Sequence, residues 1–499
     1  MKSSALTSMK RKRDERKVVL LHSSNHTNLT YATMKHIHKD RDILFSSLLY
    51  CCGFIRDTPS FFTVLAPKVA TRRHLEAFHT VDFLDLLEYP LNKKLEGTQH
   101  GNHRSSDVAY TNLLDVYGLT DDCAIPVDSG ERMQLWSYCK SVAGASLHAA
   151  HLVIEEKADV AINWSGGRHH AHADKAGGFC YINDAVLAIK RLIAAKKRVL
   201  YLDIDIHHAD GVQAAFYDTD EVMTISLHRH APGFFPPKTG SIKEKGKHKT
   251  KGVGYNLNIP MPRGCKDADF LEMVSLVLAK IVPEFNPDAM VLCVGADGLK
   301  ADDLVKETNE CWSLSPEGLA ECVRRVSSFC GGIKYQTGKR CDKLQKRKLI
   351  VLGGGGYNPP NTSKTFLLCT AASCEGSRPG MLWKLLPKDV PCHEHFEQYG
   401  PSFELTTINV EGSYYDPIPI QSTTDITYLR ELQVARQAVN LSTIFLSSHK
   451  EKIKGSFNSI DEMFCNTEED LPGVSSINIQ RRPLTSNPKQ GLRYYRRRK

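Results

Sequence analysis

The sequence VLYLDIDIHHADGV, residues 199–212, is the clearest indication of this chain's architecture. Its first half, Val199–Ile206, is largely apolar, which predicts a strand covered on both faces, as in parallel sheets. Side chains alternate along a strand, so Asp203, Asp205 and His207 begin on one face. Such a group is costly to bury without compensation, and a catalytic metal ion would supply it. A magnesium-binding phosphatase motif and a helix cap are the alternatives for this pattern alone.

An alternation of predicted strands, loops and helices extends along the chain on both sides of this segment. Further apolar strand candidates are Val18–Leu21, Val160–Trp164, Val222–His228, Gly254–Ile259, Ala289–Val294 and Leu349–Leu352. Helical stretches are predicted from the end of Val18–Leu21 to about residue 90. Further helical patterns lie at Arg132–Ala158, Asn183–Lys196, Phe270–Phe285, Pro316–Phe329 and Ile426–Ser447. The segment Leu91–Val127 is largely polar and is interpreted as a loop. The alternation predicts a doubly wound α/β domain on a parallel sheet.

A third acid follows the strand candidate Ala289–Val294, in Gly295-Ala296-Asp297. Ligands of open α/β sheets bind at the carboxyl ends of the strands, so Asp297 is expected at the same edge as the first motif. With Asp205 and His207 it would make a site of one histidine and two carboxylates with an open position. That donor set suits Zn²⁺ and would also accept Fe²⁺ or Mn²⁺. Taken alone, Asp297 is a turn or helix-capping acid.

Adjacent histidines follow the strand candidate Val160–Trp164, in SGGRHHA, residues 165–171. Paired histidines in a turn are usually surface residues, but these follow a buried strand. Beside a metal-bound water, His169 and His170 can act as general base and acid if partners orient them. The natural partners are Asp203 and Asp210.

Four glycines and a tyrosine follow Leu349–Leu352. A phosphate-binding loop is the alternative, but the GK[ST] of a P-loop and the spacing of GxGxxG are both missing. Glycines also let the backbone pass close to a substrate. Tyr357 is therefore a candidate donor to a developing oxyanion.

The net charge of +9 resides in the two ends of the chain. Residues 1–17 carry a balance of +5 and residues 480–499 one of +8, which leaves about −4 for the rest. Basic tails bind nucleic acid or acidic partners, or act as nuclear import signals. Residues 1–17, with the run Lys10–Arg13, and the segment from Ser456 onward are predicted to be disordered.

The cysteine pattern argues against a disulfide scaffold. The 15 cysteines form no CxxC pair, so zinc ribbons are excluded as well. No stretch has the roughly 18 uninterrupted apolar residues of a membrane helix, and the basic start lacks the apolar segment of a secretory signal. Reduced thiols in the cytosol or nucleus are expected.

Six motifs, taken together, resemble the catalytic signature of class I histone deacetylases. In order they are INWSGGRHHA (162–171), AGGFCYINDAV (176–186), LYLDIDIHHADGV (200–212), ISLHRHAPGFFP (225–236), GADGL (295–299) and VLGGGGYN (351–358). The resemblance implies the arginase–deacetylase fold, with helices flanking a parallel sheet in one catalytic domain over residues 18–408. A partly helical extension, residues 409–455, and a basic tail, 456–499, would follow.

The resemblance also implies a role for each site residue. Zinc, or Fe²⁺, would be held by Asp205, His207 and Asp297, and a structural K⁺ would be bound as well. His170, held by Asp210, would be the main general base and acid.

The remaining roles belong to the tunnel that leads to the metal. His169, paired with Asp203, would give electrostatic support, and Tyr357 would polarise the acetyl carbonyl. The residues implied to bind substrate are Asp122 at the rim, Gly178, Phe179 and Phe235 along the tunnel, and Leu304 at its mouth.

One departure from the family concerns the inner end of that tunnel. Class I relatives usually carry an arginine there, from a helix near the start of the chain, and alignment by eye places Leu29 at that position. Arg168 stands where relatives have an aromatic or apolar residue. It is predicted to line the inner foot and to help acetate leave, because a guanidinium binds a carboxylate through two parallel hydrogen bonds. A surface or purely structural arginine is the alternative.

The implied substrates are acetylated histone tails or other acetyl-lysine proteins, with corepressor subunits as partners and transcriptional repression in the nucleus as the outcome. Regulation by inositol phosphate is in doubt, because Asp303 and Pro359-Pro360 replace the arginines of corepressor-bound relatives. Three rivals remain: a catalytically weak scaffold of a chromatin complex, a binuclear-manganese ureohydrolase, and a deacetylase of small molecules such as polyamines. No membrane association is expected.

Overall fold

The computed structural model describes residues 16–55, 62–88, 103–300, 302–332, 345–374, 386–406 and 425–454. The chain forms two compact units, one ending at Thr443 and one beginning at Ile444. No helix within the described ranges is long and apolar enough to cross a membrane. Most of the predicted basic tails, including Lys10–Arg13, lies outside the described residues.

One parallel sheet of eight strands forms the centre of the first unit. The strands are β1 (Val18–Leu21), β2 (Phe62–Leu65), β3 (Val160–Asn163), β4 (Val199–Asp203), β5 (Val222–Arg229), β6 (Asn256–Met261), β7 (Ala289–Cys293) and β8 (Lys348–Leu352). Their order across the sheet is β2-β1-β3-β8-β7-β4-β5-β6, and every pairing is parallel. The predicted single-domain parallel sheet flanked by helices is confirmed.

Helices connect the strands. They are α1 (Ser24–His38), α2 (Arg41–Cys51), α3 (Arg72–Leu75), α4 (Val81–Glu88), α5 (His103–Val116), α6 (Ser129–Ile154), α7 (Asp184–Ala194), α8 (Asp210–Phe216), α9 (Asp267–Leu276), α10 (Val282–Phe285), α11 (Pro316–Cys330), α12 (Pro359–Ser373) and α13 (Ile426–Lys454). A π-helical turn, Val277–Ile281, joins α9 to α10, and short 3₁₀ turns lie at Asp121–Cys123, Val305–Thr308 and Phe396–Tyr399.

The register of the central strands aligns the ends of four of them. Asp203 of β4 pairs with Cys293 of β7, which pairs with Leu352 of β8, which pairs with Asn163 of β3. These four residues are the last of their strands. The loops that follow, which carry all the polar motifs of the sequence, therefore start side by side at one edge of the sheet. Fully buried β-branched and leucine side chains along these strands hold the edge in place.

Asn183 links the edge to the helical layer. Its Oδ1 accepts the Val186 N–H at 2.9 Å and so caps the start of α7. Its Nδ2 donates to the Ala171 carbonyl at 2.9 Å, which fastens the turn that carries the paired histidines. The side chain is fully buried, so removing it would leave both groups without a partner.

Three expectations about secondary structure are wrong in detail. The strand β2 forms an edge of the sheet within a region predicted to be helical, and α5 lies inside Leu91–Val127, which was interpreted as a loop. Arg16, assigned to the basic tail, is buried and donates to the carbonyls of Ser327 and Asp159, each at 2.9 Å. Arg16 therefore packs against the first unit, two residues before Val18.

Candidate active site

Two consecutive turns build the acidic motif at the end of β4. The strand ends at Asp203, so the predicted strand to Ile206 is too long. Asp203 Oδ1 accepts the Asp205 N–H at 2.9 Å, and Asp205 Oδ1 accepts the His207 N–H at 2.9 Å. Each short acidic side chain bonds the backbone two residues on, as in an Asx turn. These turns, rather than strand alternation, place Asp205 and His207 over the edge of the sheet.

The three predicted metal ligands come together there. Ligand atoms of Asp205, His207 and Asp297 all lie within 4.8 Å of one another. His207 Nδ1 is 2.8 Å from Asp297 Oδ2 and 3.1 Å from Asp205 Oδ1. Both carboxylates are fully buried.

The electrostatics of this cluster fit a bound cation. Burial and the charge of Asp205 raise the pKa of Asp297 to about 7. Burial alone would lower the pKa of His207, but its hydrogen bonds to Asp205 and Asp297 raise that pKa to about 10. Two buried carboxylates thus share a single imidazolium as their positive partner, and a divalent ion would neutralise the charge of both.

Glycines leave the room that such an ion and its substrate need. A Cβ built on Gly295 or Gly355 would collide with the carboxylates of Asp205 and Asp297. The Gly355 N–H also donates to Asp205 Oδ2 at 2.8 Å, which fixes the orientation of that carboxylate. Carboxylate oxygens and one imidazole nitrogen are donors that Zn²⁺ accepts.

The paired histidines each donate Nδ1–H to a different aspartate. His169 Nδ1 lies 2.8 Å from Asp203 Oδ2, and His170 Nδ1 lies 2.7 Å from Asp210 Oδ1. The two rings are 3.9 Å apart between centroids, and the His170 ring lies 5.9 Å from that of His207. Both predicted partnerships are thus present in the structure.

The environments of the two histidines push their pKa values apart. Burial opposes the charge on His169, but Asp203 and Asp205 outweigh it and raise its pKa to about 9. Burial and the charge of His169 lower the pKa of His170 to about 4, against the opposing effect of Asp210. At neutral pH His169 is charged and His170 is neutral, so His170 is the available base.

Tyr357 lies on the loop after β8, close to the aromatic residues of the predicted tunnel. Its ring is 5.7 Å from that of Phe179, and the ring of Phe235 is 4.8 Å from that of His170. A Cβ on Gly178 would collide with His170 and Phe235, so this wall also requires glycine. Asp122 Oδ2 accepts the Gly178 N–H at 2.7 Å.

Asp302, which the sequence analysis did not single out, holds the loop of Tyr357. Its Oδ2 accepts the Tyr357 N–H at 2.7 Å, and its Oδ1 accepts the Leu304 N–H at 3.0 Å. Burial raises its pKa to about 6. The half-buried Leu304 thus joins the site through Asp302. The signal that points to Asp302 is an acid five residues after the candidate ligand Asp297, on the same loop.

The inner end of the site contains two buried arginines, and one expectation about it is wrong. Leu29 does not leave this end without a cation, because Arg41, the first residue of α2, extends into it. Arg41 Nη1 donates to the carbonyls of Gly354 at 3.2 Å and Gly356 at 2.9 Å. Arg168 is also buried, so it is not a surface residue, and its Nη1 lies 3.4 Å from His38 Nε2. Arg168 therefore adds to a cation rather than replacing one.

Comparison with known proteins agrees with this arrangement. Residues 38–373 match the histone deacetylase domain. The chain is 36% identical to histone deacetylase 8 of Xenopus laevis over 342 residues, which cover 68% of this chain and 90% of that protein. It is 34% identical to histone deacetylase RPD3 of Saccharomyces cerevisiae over 394 residues, 79% of this chain and 78% of that one.

A plant relative shows similar coverage. Histone deacetylase 9 of Arabidopsis thaliana is 33% identical over 376 residues, 74% of this chain and 76% of its own. The domain match spans more than half of the chain and contains every residue that we assign to the metal-ligand cluster, the histidine pairs and the tyrosine loop. The eight-stranded parallel sheet is the arginase–deacetylase fold that the motifs imply. The chain belongs to the histone deacetylase family, in its class I.

Proposed function

We propose that this protein is a zinc-dependent lysine deacetylase that hydrolyses the acetyl amide of acetyl-lysine on histones or other proteins to lysine and acetate. The observation that carries the proposal is the position of one neutral histidine, His170, beside the Asp205, His207 and Asp297 cluster. An ion held by those three residues supplies Lewis acidity to the acetyl carbonyl and lowers the pKa of a water to about 7. Zinc as that ion, and a structural K⁺ elsewhere, are part of the proposal.

His170 is the proton carrier in this account. Its Nδ1–H is donated to Asp210, which leaves Nε2 free to accept a proton from the attacking water. The same nitrogen returns that proton to the lysine nitrogen as the C–N bond breaks. Charged His169, held by Asp203, stabilises negative charge at the reaction centre without exchanging a proton.

Tyr357 stabilises the oxyanion. Burial keeps its pKa well above the usual value, so the hydroxyl remains protonated and can donate. A donor aimed at an oxyanion is worth about 3–4 kcal/mol in the transition state. Phe179 and Phe235 form apolar walls for the lysine stem. Asp122 at the rim orients the substrate backbone, and it also accepts the hydrogen bond of the Gly178 N–H.

The test is hydrolysis of an acetylated histone-tail peptide by the purified protein, followed by mass spectrometry. We expect loss of the acetyl group and inhibition by a hydroxamate, which binds a metal through two oxygens. The scaffold alternative predicts that the protein leaves the acetyl group on the peptide and gives the same result as its Tyr357→Phe variant. Acetylated polyamines in the same assay test the small-molecule alternative.

Localisation is a further part of the proposal. The basic run Lys10–Arg13 is expected to direct the protein to the nucleus, where corepressor subunits and histone tails would be its partners, and the basic ends would also contact nucleic acid. A tagged chain with those four residues changed to alanine, and with the cluster Arg496–Lys499 deleted, should remain in the cytoplasm. Unchanged nuclear signal in that double variant would remove the claim.

A further inference from the structure

Two guanidinium groups converge behind Tyr357. Arg41 contacts the carbonyl of Gly356, the residue before Tyr357, at 2.9 Å. The His38 ring lies 6.2 Å from that of Tyr357, and its Nε2 lies 3.4 Å from Arg168 Nη1. Both cations are therefore separated from the catalytic tyrosine by one side chain or less.

This region has more hydrogen-bond donors than acceptors. Arg41 Nε and Nη2 and the Tyr138 hydroxyl are buried and have no hydrogen-bond partner among the described residues. Arg41 is 1% exposed and Tyr138 is 2% exposed. Burial raises the pKa of Tyr138 and the charge of Arg168 opposes this, so Tyr138 remains a neutral hydroxyl near that guanidinium. Buried donors without partners are costly, and an anion would satisfy them.

The acidic residues nearby do not satisfy these donors. Asp184 accepts from the backbone N–H groups of Gly167 and Arg168 and from the Ser146 hydroxyl, so its carboxylate oxygens already have donors other than the guanidinium groups. Asp42 Oδ2 lies 3.8 Å from Arg41 Nε, beyond hydrogen-bond distance, and it has no hydrogen bond to a described residue.

His38 does not supply a further charge. Burial and the charges of Arg41 and Arg168 hold its pKa well below the usual value, so it is neutral. Its Nε2 can accept from Arg168, and its Nδ1 has no partner among the residues that the structure describes. Arg168 Nε and Nη2 both donate to the Ser165 carbonyl, at 3.2 and 3.0 Å, which fixes its guanidinium in place. Among the described residues the open donors of the cluster are therefore Arg41 Nε and Nη2 and the Tyr138 hydroxyl, and a carboxylate would accept from them beside two positive charges.

We propose that Arg41, Arg168 and Tyr138 form a buried carboxylate site behind Tyr357, and that it takes the distal carboxylate of a dicarboxylic acyl group on lysine, such as succinyl or glutaryl. This rests on the proposed deacylase function and extends its substrate class. In the reaction, water oxygen bonds to the acyl carbon attached to lysine and the C–N bond breaks. The lysine nitrogen takes up both protons of that water and becomes an ammonium group, and a dicarboxylate leaves. No other reactant is needed.

The experiment compares acyl groups on one peptide sequence. Wild-type protein is assayed with acetyl-, succinyl- and glutaryl-lysine and with the neutral amide counterparts of the two acidic groups, succinamyl and glutaramyl. We expect kcat/KM for at least one acidic acyl group to exceed that of its amide counterpart by about tenfold or more. Arg168→Leu should abolish that ratio, and Arg168→Lys should keep part of it. Equal or lower values for both acidic groups in wild type would overturn the proposal.

Binding provides a second readout that does not need turnover. Calorimetry with the same peptides should show tighter binding of an acidic acyl group than of its amide in wild type and equal binding in Arg168→Leu. If acetyl-lysine is hydrolysed but neither acidic preference is seen, the carboxylate site fails while the deacetylase function stands. If nothing is hydrolysed and the acidic group still binds preferentially, the deacetylase function fails while the carboxylate site stands.

Free acetate is the other source of a carboxylate at this site. Product inhibition by added acetate is therefore measured in wild type and in Arg168→Leu. A change in acetate inhibition with no acid-to-amide preference would assign the site to the leaving product, as a channel, and would overturn the acyl specificity.

Discussion

Two regions of opposite charge lie on the two sides of Tyr357, and they are built in opposite ways. In the metal-ligand region, Asp205 and Asp297 are buried side by side and each accepts hydrogen bonds from the backbone or from His207. In the inner region, Arg41 and Arg168 are both buried, and Arg41 Nε and Nη2 and the Tyr138 hydroxyl have no hydrogen-bond partner in the part of the chain that the structure describes. The first region has too few cations and the second has too few acceptors.

Under the proposed function, the difference would keep the metal ion and the acyl group's carboxylate on opposite sides of Tyr357. The metal-ligand region would bind a divalent cation beside the water that attacks the amide. The inner region would bind an anion, and the acyl group becomes a carboxylate when the amide is hydrolysed. Fixed charges that are already in place cost no reorganisation during the reaction.

The largest effect is expected for Tyr357→Phe, because the change removes only a hydroxyl at the boundary of the two regions. Loss of an oxyanion donor costs about 3–4 kcal/mol, which is a fall in kcat of about 10² to 10³. Steady-state kinetics with an acetyl-lysine peptide measure it, with circular dichroism to show an intact fold. A kcat within about threefold of wild type, less than ~1 kcal/mol, would remove Tyr357 from the mechanism.

A smaller effect is expected for Asp210→Asn, which weakens the orientation of His170. Such a partner is typically worth about 10- to 100-fold in activity. His170 can accept a proton only when it is neutral. Activity should therefore rise with pH around the His170 pKa of about 4 and stay constant from there to neutral pH. Asp210 raises that pKa, so the variant should have a lower one.

The pH profile therefore separates orientation from titration. The rate of Asp210→Asn should be lower than that of wild type at every pH. The acid limb of its kcat/KM profile should lie at lower pH than in wild type, or below the pH at which the protein can be assayed. An acid limb that moves to higher pH would show that His170 is not the base.

The sequence predicted the metal-ligand region far better than the inner one. Asp205, His207 and Asp297 each follow an apolar strand, and parallel strands bring their carboxyl ends to one edge. The pattern Val199–Ile206 predicts a strand that continues past Asp203, whereas two Asx turns position Asp205 and His207 in the structure. The short-range hydrogen bonds of aspartate leave no periodic pattern in a sequence, so these turns cannot be predicted from it. Within one motif the structure brings the predicted residues together, but through a different local conformation from the predicted strand.

Arg41 and Asp302 could not be found in the same way. Each acts through the backbone of a distant loop: Arg41 on the carbonyls after β8, and Asp302 on the Tyr357 N–H. Backbone groups are the same for every residue, so nothing in the receiving loop identifies the donor or acceptor. The edge strand β2 was missed for a related reason, since four residues are too few to show a period.

The smallest effect compares two buried tyrosines, one near each region. Tyr201 donates its hydroxyl to Asp203 Oδ2, whereas the Tyr138 hydroxyl has no hydrogen-bond partner among the described residues. Tyr201→Phe should destabilise the protein by about 1–3 kcal/mol, because a buried carboxylate loses a donor. Tyr138→Phe should be neutral or slightly stabilising. Urea denaturation measures both against wild type, and an equal loss in the two variants would show that the inner region has no surplus of donors.

The most direct measurement of the central claim is a metal titration of activity. Purified protein is stripped with a chelator, Zn²⁺ is added back in steps, and hydrolysis of an acetyl-lysine peptide is followed at each step, with Asp205→Asn as the matched control. We expect no activity in the stripped protein, a rise to a plateau at about one Zn²⁺ per chain because the cluster has the three protein ligands of a single catalytic site, and no recovery in Asp205→Asn. Full activity in the metal-free protein, or equal recovery in Asp205→Asn, would contradict the account.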